Sequence, residues 1–408
     1  MAASPAEFER TPWAMVILLG SLTAFAAISI DMYLPSLPAI SAGFGAPAGA
    51  AQATLATFFA GLAIGQFFHG PASDRWGRRV PLFAGVALYV VASAGCALAP
   101  TLPLLCLARF LQALGGCAGP VIARAIVRDH FGHRQSARIL SQLMLVMGVA
   151  PIMAPLVGGM LLTFGGWRAI FWVLAGFGTV VGVWMFFALG ESRSEATALQ
   201  ARAEHPIAAY WALLGQRRLV GYTLAGALNS AALFAYLAAS PNLLIQTYHI
   251  PASQFGLVFG INAMGLIGMS QVNAHLLRRH APETILARSR AASIAFAAIM
   301  ALDAYTGWGG MWGVLVPLFC VMSSFGLVGA NTQAAGLNID PTRAGSISAL
   351  MGGASFACAA VVSALTGVLQ DGTARPMATV ILVAIVASAA VLYGVAMPIR
   401  GARRPVTP

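Results

Sequence analysis

Apolar stretches of about twenty residues alternate with short polar breaks along this whole chain. A helix needs roughly 20 mostly apolar residues to cross about 30 Å of hydrocarbon. Stretches of that kind fall at 13–34, 51–70, 81–99, 103–127, 138–163, 167–189, 219–239, 254–275, 287–303, 311–333, 345–367 and 374–397. Lipid offers no hydrogen bonds to an open backbone, so such stretches must satisfy their own as helices. The pattern therefore predicts an all-α membrane protein of twelve transmembrane helices. The longest polar break, 190–218, divides them six and six. It separates an N-terminal half at 1–189 from a C-terminal half at 219–408, which ends in a short tail.

Composition points the same way. Hydrophobic residues make up 59% of the 408 positions and charged residues 9%, against roughly 25% charged in soluble domains. So few charges cannot cover a water-facing surface. The net charge of +11 raises the question of nucleic acid, and its distribution answers it. All 23 basic residues are arginine, and nineteen fall on one side of the twelve-span reading, in breaks or at the span ends beside them. Among them are Arg75, Arg78 and Arg79 after the second span, and Arg278, Arg279, Arg288 and Arg290 between the eighth and ninth. Arg168 and Arg375 fall on the other side, while Arg109 and Arg124 lie within the fourth span. Cytoplasmic loops carry the excess of arginine, which places both termini and the central loop in the cytoplasm. The basic charge is topological; the expected partner is the bilayer, not nucleic acid. The first stretch is expected to stay as a span, because Glu7 and Glu9 stand beside Arg10 where a signal peptide would be positive.

The chemistry of an enzyme is missing from this sequence. The five cysteines (Cys96, Cys106, Cys117, Cys320, Cys358) fall within spans without metal-ligand spacing and read as packing residues. The seven histidines are scattered over breaks and span ends on both faces, with no zincin pair, and no phosphate loop of the Walker type appears. No cofactor, metal or ATP drive is expected.

What does stand out is the segment after the second span, Gly70-Pro71-Ala72-Ser73-Asp74-Arg75-Trp76-Gly77-Arg78-Arg79. Gly70 and Gly77 permit a tight turn and close helix approach. Asp74 can pair with Arg75, Arg78 or Arg79, or accept from a helix N-terminus. The segment resembles the G-x-x-x-D-R-x-G-R-R loop of the major facilitator superfamily. That resemblance implies the major facilitator fold, with this loop as a cytoplasmic latch facing the start of the eleventh helix near Gly345-Ser346. Three further segments resemble the bicyclomycin and chloramphenicol resistance (Bcr/CflA) group of drug:proton antiporters. They are Asp31-Met32-Tyr33-Leu34-Pro35-Ser36-Leu37-Pro38-Ala39-Ile40, Arg124-Ala125-Ile126-Val127-Arg128-Asp129 and Gly166-Trp167-Arg168-Ala169-Ile170-Phe171-Trp172. The resemblance covers the N-terminal half and is looser in the C-terminal half, where Ser240-Pro241 and Phe255-Gly256 match best. It departs after the sixth span, where Leu189-Gly190-Glu191-Ser192 replaces the group's Leu-Pro-Glu-Thr.

The resemblance implies proton-coupled efflux of small amphipathic drugs by alternating access, with small-molecule substrate and protons as partners and a monomer as the working unit. Asp31 carries the proton in this reading. A carboxylate within a span costs about 2.5–3.5 kcal/mol on insertion scales, so it usually faces a cavity and works. Asp31 lies about four residues before the end of the first span at Pro35, roughly 6 Å deep, and Arg109 roughly 9 Å deep from the same side. Arg109 holds Asp31 ionised in one state and releases it to take a proton in another; otherwise Asp31 merely caps a helix end in headgroup water. Arg109-Phe110-Leu111-Gln112-Ala113-Leu114-Gly115-Gly116 also matches the group's fourth-helix arginine motif. Arg124 either snorkels to the interface or joins the gate.

The fifth span carries Gly148, Pro151, Pro155, Gly158 and Gly159. The prolines remove backbone bonds and kink the helix, and the glycines admit a neighbour. This stretch resembles the antiporter signature of exporters, with Ala154 where many members have glycine. Tyr33, Phe58, Phe59, Gln112, Phe234, Tyr236 and Asn331 are the pocket candidates, a lining suited to neutral or weakly charged amphipathic drugs. A proton-coupled exporter of a cellular metabolite, or an uncoupled facilitator, shares most of these features.

Overall fold

The computed structural model describes residues 13–195, 206–340 and 343–397. The leader with Glu7, Glu9 and Arg10, the middle of the central loop with Arg202, Glu204 and His205, and the tail with Arg400, Arg403 and Arg404 lie outside the described residues.

Long apolar runs without water to compete for their backbone become helices, and almost everything described is helical. The chain runs α1 (Trp13–Asp31), α2 (Leu37–Gly43), α3 (Gln52–Trp76), α4 (Arg79–Leu98), α5 (Leu102–Gly116), α6 (Ala118–His130) and α7 (His133–Ala188). After the central loop come α8 (Pro206–Leu214), α9 (Arg217–Pro241), α10 (Ala252–Leu276), α11 (Pro282–Thr306), α12 (Gly310–Leu337), α13 (Ala344–Val368) and α14 (Arg375–Val391). Among the described residues there is no β-strand, and ten helical stretches are long and apolar enough to cross a membrane. These ten differ from the expected twelve in two places. The 25-residue α3, which carries Gln66, His69, Asp74 and Arg75, is not among them. The fifth and sixth expected spans run together in α7, which breaks at Gly166 with φ +67° and ψ −179°.

Two boundaries move in ways that matter. The first span was expected to end at Pro35. Instead a 3₁₀ turn at Leu34–Ser36 leads into α2, and the helical path runs 31 residues from Trp13 to Gly43. Pro35 and Pro38 sit in the first turns of those short helices, where a missing N–H costs nothing. They redirect the path rather than stop it. Asp31 therefore lies 12 residues before its end at Gly43, about 18 Å at 1.5 Å per residue, not the 6 Å expected. The second shift is at α11. Its first turn is polar, so hydropathy begins late, but Pro282 in that turn starts the helix. Arg288 and Arg290 consequently lie inside α11, not in a loop, and Arg290 is only 1% exposed.

The halves meet along two seams, α3 on α13 and α7 on α10. A Cβ added at Gly49 would lie 1.9 Å from the Gly367 carbonyl oxygen, so the ends of the first seam touch backbone to backbone. Beside it, Asn242 Nδ2 donates to the Ala48 carbonyl at 2.7 Å and Gln52 Nε2 to the Ala238 carbonyl at 3.2 Å. Along the second seam the same measure rises steadily: 2.5 Å from Gly159 to Ala252, 2.7 Å from Gly256 to Leu156, 3.5 Å from Gly260 to Ile152 and 3.6 Å from Gly148 to Ile267. At the opposite end Gly70 and Gly345 meet nothing within 4 Å. The backbone-to-backbone contacts lie at the Gly49 end; toward the Asp74 end the halves meet through side chains, with the Phe67 ring of α3 against Gly353 of α13.

Candidate functional site

Arg109 stands at the middle of the N-terminal half, 0% exposed on α5. Its Nη1 donates to the Ser29 carbonyl at 3.2 Å and to Gln112 Oε1 at 2.7 Å. Gln112 Nε2 passes the chain on to Ser93 Oγ at 2.7 Å, and Tyr89 and Ser29 share a hydroxyl bond of 2.8 Å. Three rings surround the guanidinium carbon: Phe58 at 4.0 Å, Tyr33 at 4.4 Å and Phe171 at 5.7 Å. Ring faces are negative, so this cage offsets part of the cost of burying the charge. The Tyr33 hydroxyl is fixed in turn by Thr54. Nε and Nη2 have no partner. They form one edge of the guanidinium fork, the geometry that takes a carboxylate with two parallel bonds.

Asp31 ends α1 and is 5% exposed. Among the described residues no hydrogen bond or ion pair engages its carboxyl; the two ion pairs both belong to Arg78. Asp31 and Arg109 therefore do not touch, and Ser29, two residues before Asp31, is the point at which Arg109 reaches α1. Tyr236 of the C-terminal half lies within electrostatic range of Asp31. Its hydroxyl accepts from Asn262 Nδ2 at 3.1 Å, and its ring stacks on Phe259. Sequence reasoning named Tyr236 but not Asn262 as its partner.

The pocket candidates divide into three groups. Tyr33, Phe58 and Gln112 belong to the Arg109 cage. Phe59 joins Phe234 across the halves, with ring centroids 4.5 Å apart, and Phe356 completes that cluster. Asn331 lies apart, donating to Asn273 Oδ1 at 2.8 Å. A groove of about 530 Å³ runs between α1 and α7, lined by Ala24, Ile28, Met32, Val149, Ala150, Met153, Ala154 and Val157. It begins at the residue following Asp31 and is almost wholly apolar.

In the helix-five signature, glycine is required by contact. A Cβ on Gly158 would sit 1.9 Å from the Met32 carbonyl oxygen, and one on Gly159 2.5 Å from that of Ala252. Gly158 thus seats α7 on α1, and Gly159 seats it on α10. Pro151 and Pro155 lie inside α7, between these contacts and the looser one at Gly148.

The Gly70–Arg79 loop builds a network inside the N-terminal half. Arg78, 3% exposed, donates Nε to Asp129 Oδ2 at 2.7 Å and Nη1 to Ser73 Oγ at 2.9 Å, and it pairs with Asp74. Glu191 caps α4 from a distance: its oxygens accept from the backbone N–H of Arg78 at 2.8 Å, Arg193 at 2.9 Å and Arg79 at 3.1 Å. Burial works against its charge, but these N–H groups and the Arg193 guanidinium outweigh it and hold the carboxyl below its usual range. Gly77 makes room, with φ +91° and a Cβ position 2.4 Å from Glu191 Oε2. Arg193 Nη1 closes the C-terminal end of α3 through the carbonyls of Asp74 and Arg75, at 3.2 and 2.6 Å. Arg79 Nη2 reaches the Phe186 carbonyl at 3.1 Å. Arg124 folds back on its own helix, Nε to the Pro120 carbonyl at 2.8 Å. A Cβ on Gly345, at the start of α13, would meet nothing within 4 Å, and Pro71, Ala72 and Arg75 line one cavity with Leu350 of that helix. Asp129, Glu191 and Arg193 were not foreseen as members, although Asp129 and Glu191 stand in the segments that carried or broke the resemblance.

Comparison with known proteins fits this architecture. A family model described as Major Facilitator Superfamily matches residues 19–364. An uncharacterized MFS-type transporter YdgK of Bacillus subtilis is 32% identical, covering 97% of this chain and 98% of its own length. A bicyclomycin resistance protein homolog of Haemophilus influenzae is 27% identical over 90% of this chain and 92% of its own. The multidrug resistance protein MdtL of Escherichia fergusonii is 29% identical over 75% and 77%. Among solved structures, a D-xylose-proton symporter superposes with a TM-score of 0.70 at 15% identity, covering 92% of this chain and 95% of that one, which is a likeness of fold. Ten apolar helices and bacterial relatives of this kind make it a multi-pass inner-membrane protein and a transporter rather than an enzyme. The chain belongs to the major facilitator superfamily.

Proposed function

We propose that this transporter is a proton-coupled exporter of small amphipathic compounds, working by alternating access between the Gly49 and Asp74 ends. The observation that carries this reading is the buried Asp31 carboxyl with no cation on it, in the same half as a buried arginine whose donor edge is free. Burial disfavours a lone carboxylate, and an adjacent guanidinium favours it. With Arg109 turned to Ser29 and Gln112, Asp31 takes up a proton. When α1 and α5 shift so that the free edge of Arg109 meets Asp31, the proton leaves. The arginine distribution makes the Asp74 end cytoplasmic, so the described conformation is sealed outward. The Gly70–Arg79 network would then latch onto the start of α13 when the cytoplasmic end closes. The apolar groove beside Met32 suits the apolar part of a substrate, and the relatives named for bicyclomycin and multidrug resistance support drugs as the class.

The test uses inside-out vesicles bearing wild type or Asp31→Asn, energised and then given chloramphenicol-like drugs while proton release is followed. Drug-dependent release in wild type alone is the expected result. Release in both would remove the proton from Asp31. No release with any drug, from folded protein, would point to a metabolite exporter or an uncoupled facilitator.

A further inference from the structure

A second buried arginine repeats the hydrogen-bond pattern of Arg109 in the other half. Arg290 on α11 is 1% exposed, and its Nη1 donates to Asn229 Oδ1 at 2.8 Å. As in Arg109, one side-chain amide oxygen takes Nη1 while Nε and Nη2 stay without a partner. The surroundings differ. Arg109 lies among three rings, whereas among the described residues no ring lies over the Arg290 guanidinium. No described carboxylate pairs with it either. Asp303, on the same helix, is 13 residues further along, about 20 Å at 1.5 Å per residue. Its Oδ1 is already committed to the Gly309 N–H. A buried cation with neither a counter-charge nor a ring face is costly, and the usual remedy is an opposite charge with good hydrogen-bond geometry.

The helix around Arg290 is built from small side chains, Ser289, Ala291, Ala292 and Ser293. The two serine hydroxyls donate back along α11, to the carbonyls of Ile285 and Ser289, and neither accepts from Nε or Nη2 of the arginine. A buried two-nitrogen fork with no acid paired to it among the described residues recognises a small monovalent anion.

We propose that the Nε–Nη2 edge of Arg290 is an anion site inside the C-terminal half, taking a chloride-sized ion or a carboxylate. The site is separate from Asp31 and does not depend on the direction of transport. The occupant is either an inorganic ion that completes the half or the carboxylate of a carried compound, and both present the same charge to the same fork.

The full-length chain, purified in detergent, is melted while chloride replaces gluconate at constant ionic strength, with formate and acetate as separate titrations. Two variants accompany it. Arg290→Met removes the fork at similar length, and Asn229→Asp supplies an internal carboxylate at the position already bonded to Nη1. Wild type is expected to gain thermal stability saturably, and both variants to lose that response, with Asn229→Asp more stable than wild type without chloride. A response to chloride assigns a resident inorganic ion; a response to formate and acetate alone assigns a carboxylate on the cargo. A wild-type midpoint indifferent to all three anions would overturn the site. So would an undiminished response in Asn229→Asp, which preserves the side-chain shape and so guards against a folding defect in Arg290→Met.

Discussion

Gly159→Ala tests the closed seam most directly. The added Cβ would lie 2.5 Å from the Ala252 carbonyl oxygen and 3.3 Å from its carbon. Both atoms are backbone, so no side chain can swing aside and α7 must move off α10. Overpacking of a tight contact costs about 1–3 kcal/mol. The cost falls on the conformation in which the contact exists, so the equilibrium between the two access states shifts by about 5- to 150-fold toward the other one. The assay places a cysteine at Ala238, fully buried at the closed end, in a background lacking the five native cysteines, and measures its alkylation rate. Gly159→Ala is expected to raise that rate and lower the melting temperature. Gly176→Ala, on the same helix with nothing within 4 Å of its new Cβ, is the control and is expected to change neither. Equal alkylation rates in the two variants would refute the claim that this contact seals the end.

Other outcomes follow from the charged network at the opposite end. Asp129→Ala is expected to destabilise more than Asp74→Ala, because both bond Arg78 but their side chains are 13% and 43% exposed. The costs are about 1–3 kcal/mol for the more buried partner and under about 1 kcal/mol for the other, compared by chemical unfolding. Glu191→Ala removes a remote helix cap that is largely exposed and should cost about 0.5–1 kcal/mol. Since folding depresses the Glu191 pKa, its contribution is complete above the unfolded value of 4.5 and fades as pH falls through the lower folded value. Melting curves from pH 6 to about 3 should therefore show a steeper loss in wild type than in Glu191→Gln. Gly77→Ala combines a strained positive φ with a clash on Glu191 and is expected to reproduce the Glu191→Ala phenotype or worse, read by the same melts.

How far the sequence reaches depends on which physical constraint writes the signal. Membrane spans are legible because hydrocarbon thickness imposes a length and apolarity that nothing else requires. Their ends are less so: Pro35 reads alike whether it terminates a helix or opens the next one, and only the turn at Leu34–Ser36 decides. Arg290 was misplaced because an arginine near a polar break looks like a loop residue, while the amide that receives it, Asn229, is 61 positions away. The Gly70–Arg79 loop was recognisable as a motif, but its partners were not, since Asp129 and Glu191 reach Arg78 across 51 and 113 residues. Asp31 and Arg109 were singled out by the expense of charge in lipid. The described structure holds no bond between them, and charge expense alone does not say which partners a buried charge takes.

The seal at the Gly49 end rests on main chain in two places, Gly49 against Gly367 and Gly159 against Ala252, with the Asn242 and Gln52 side chains bonded beside it. Seals built from side chains alone can leak one rotamer at a time, on the timescale of a single bond rotation. The main-chain contacts have no such partial failure. They part only when whole helices separate, so ions and water should meet a barrier there that falls in one step rather than by degrees.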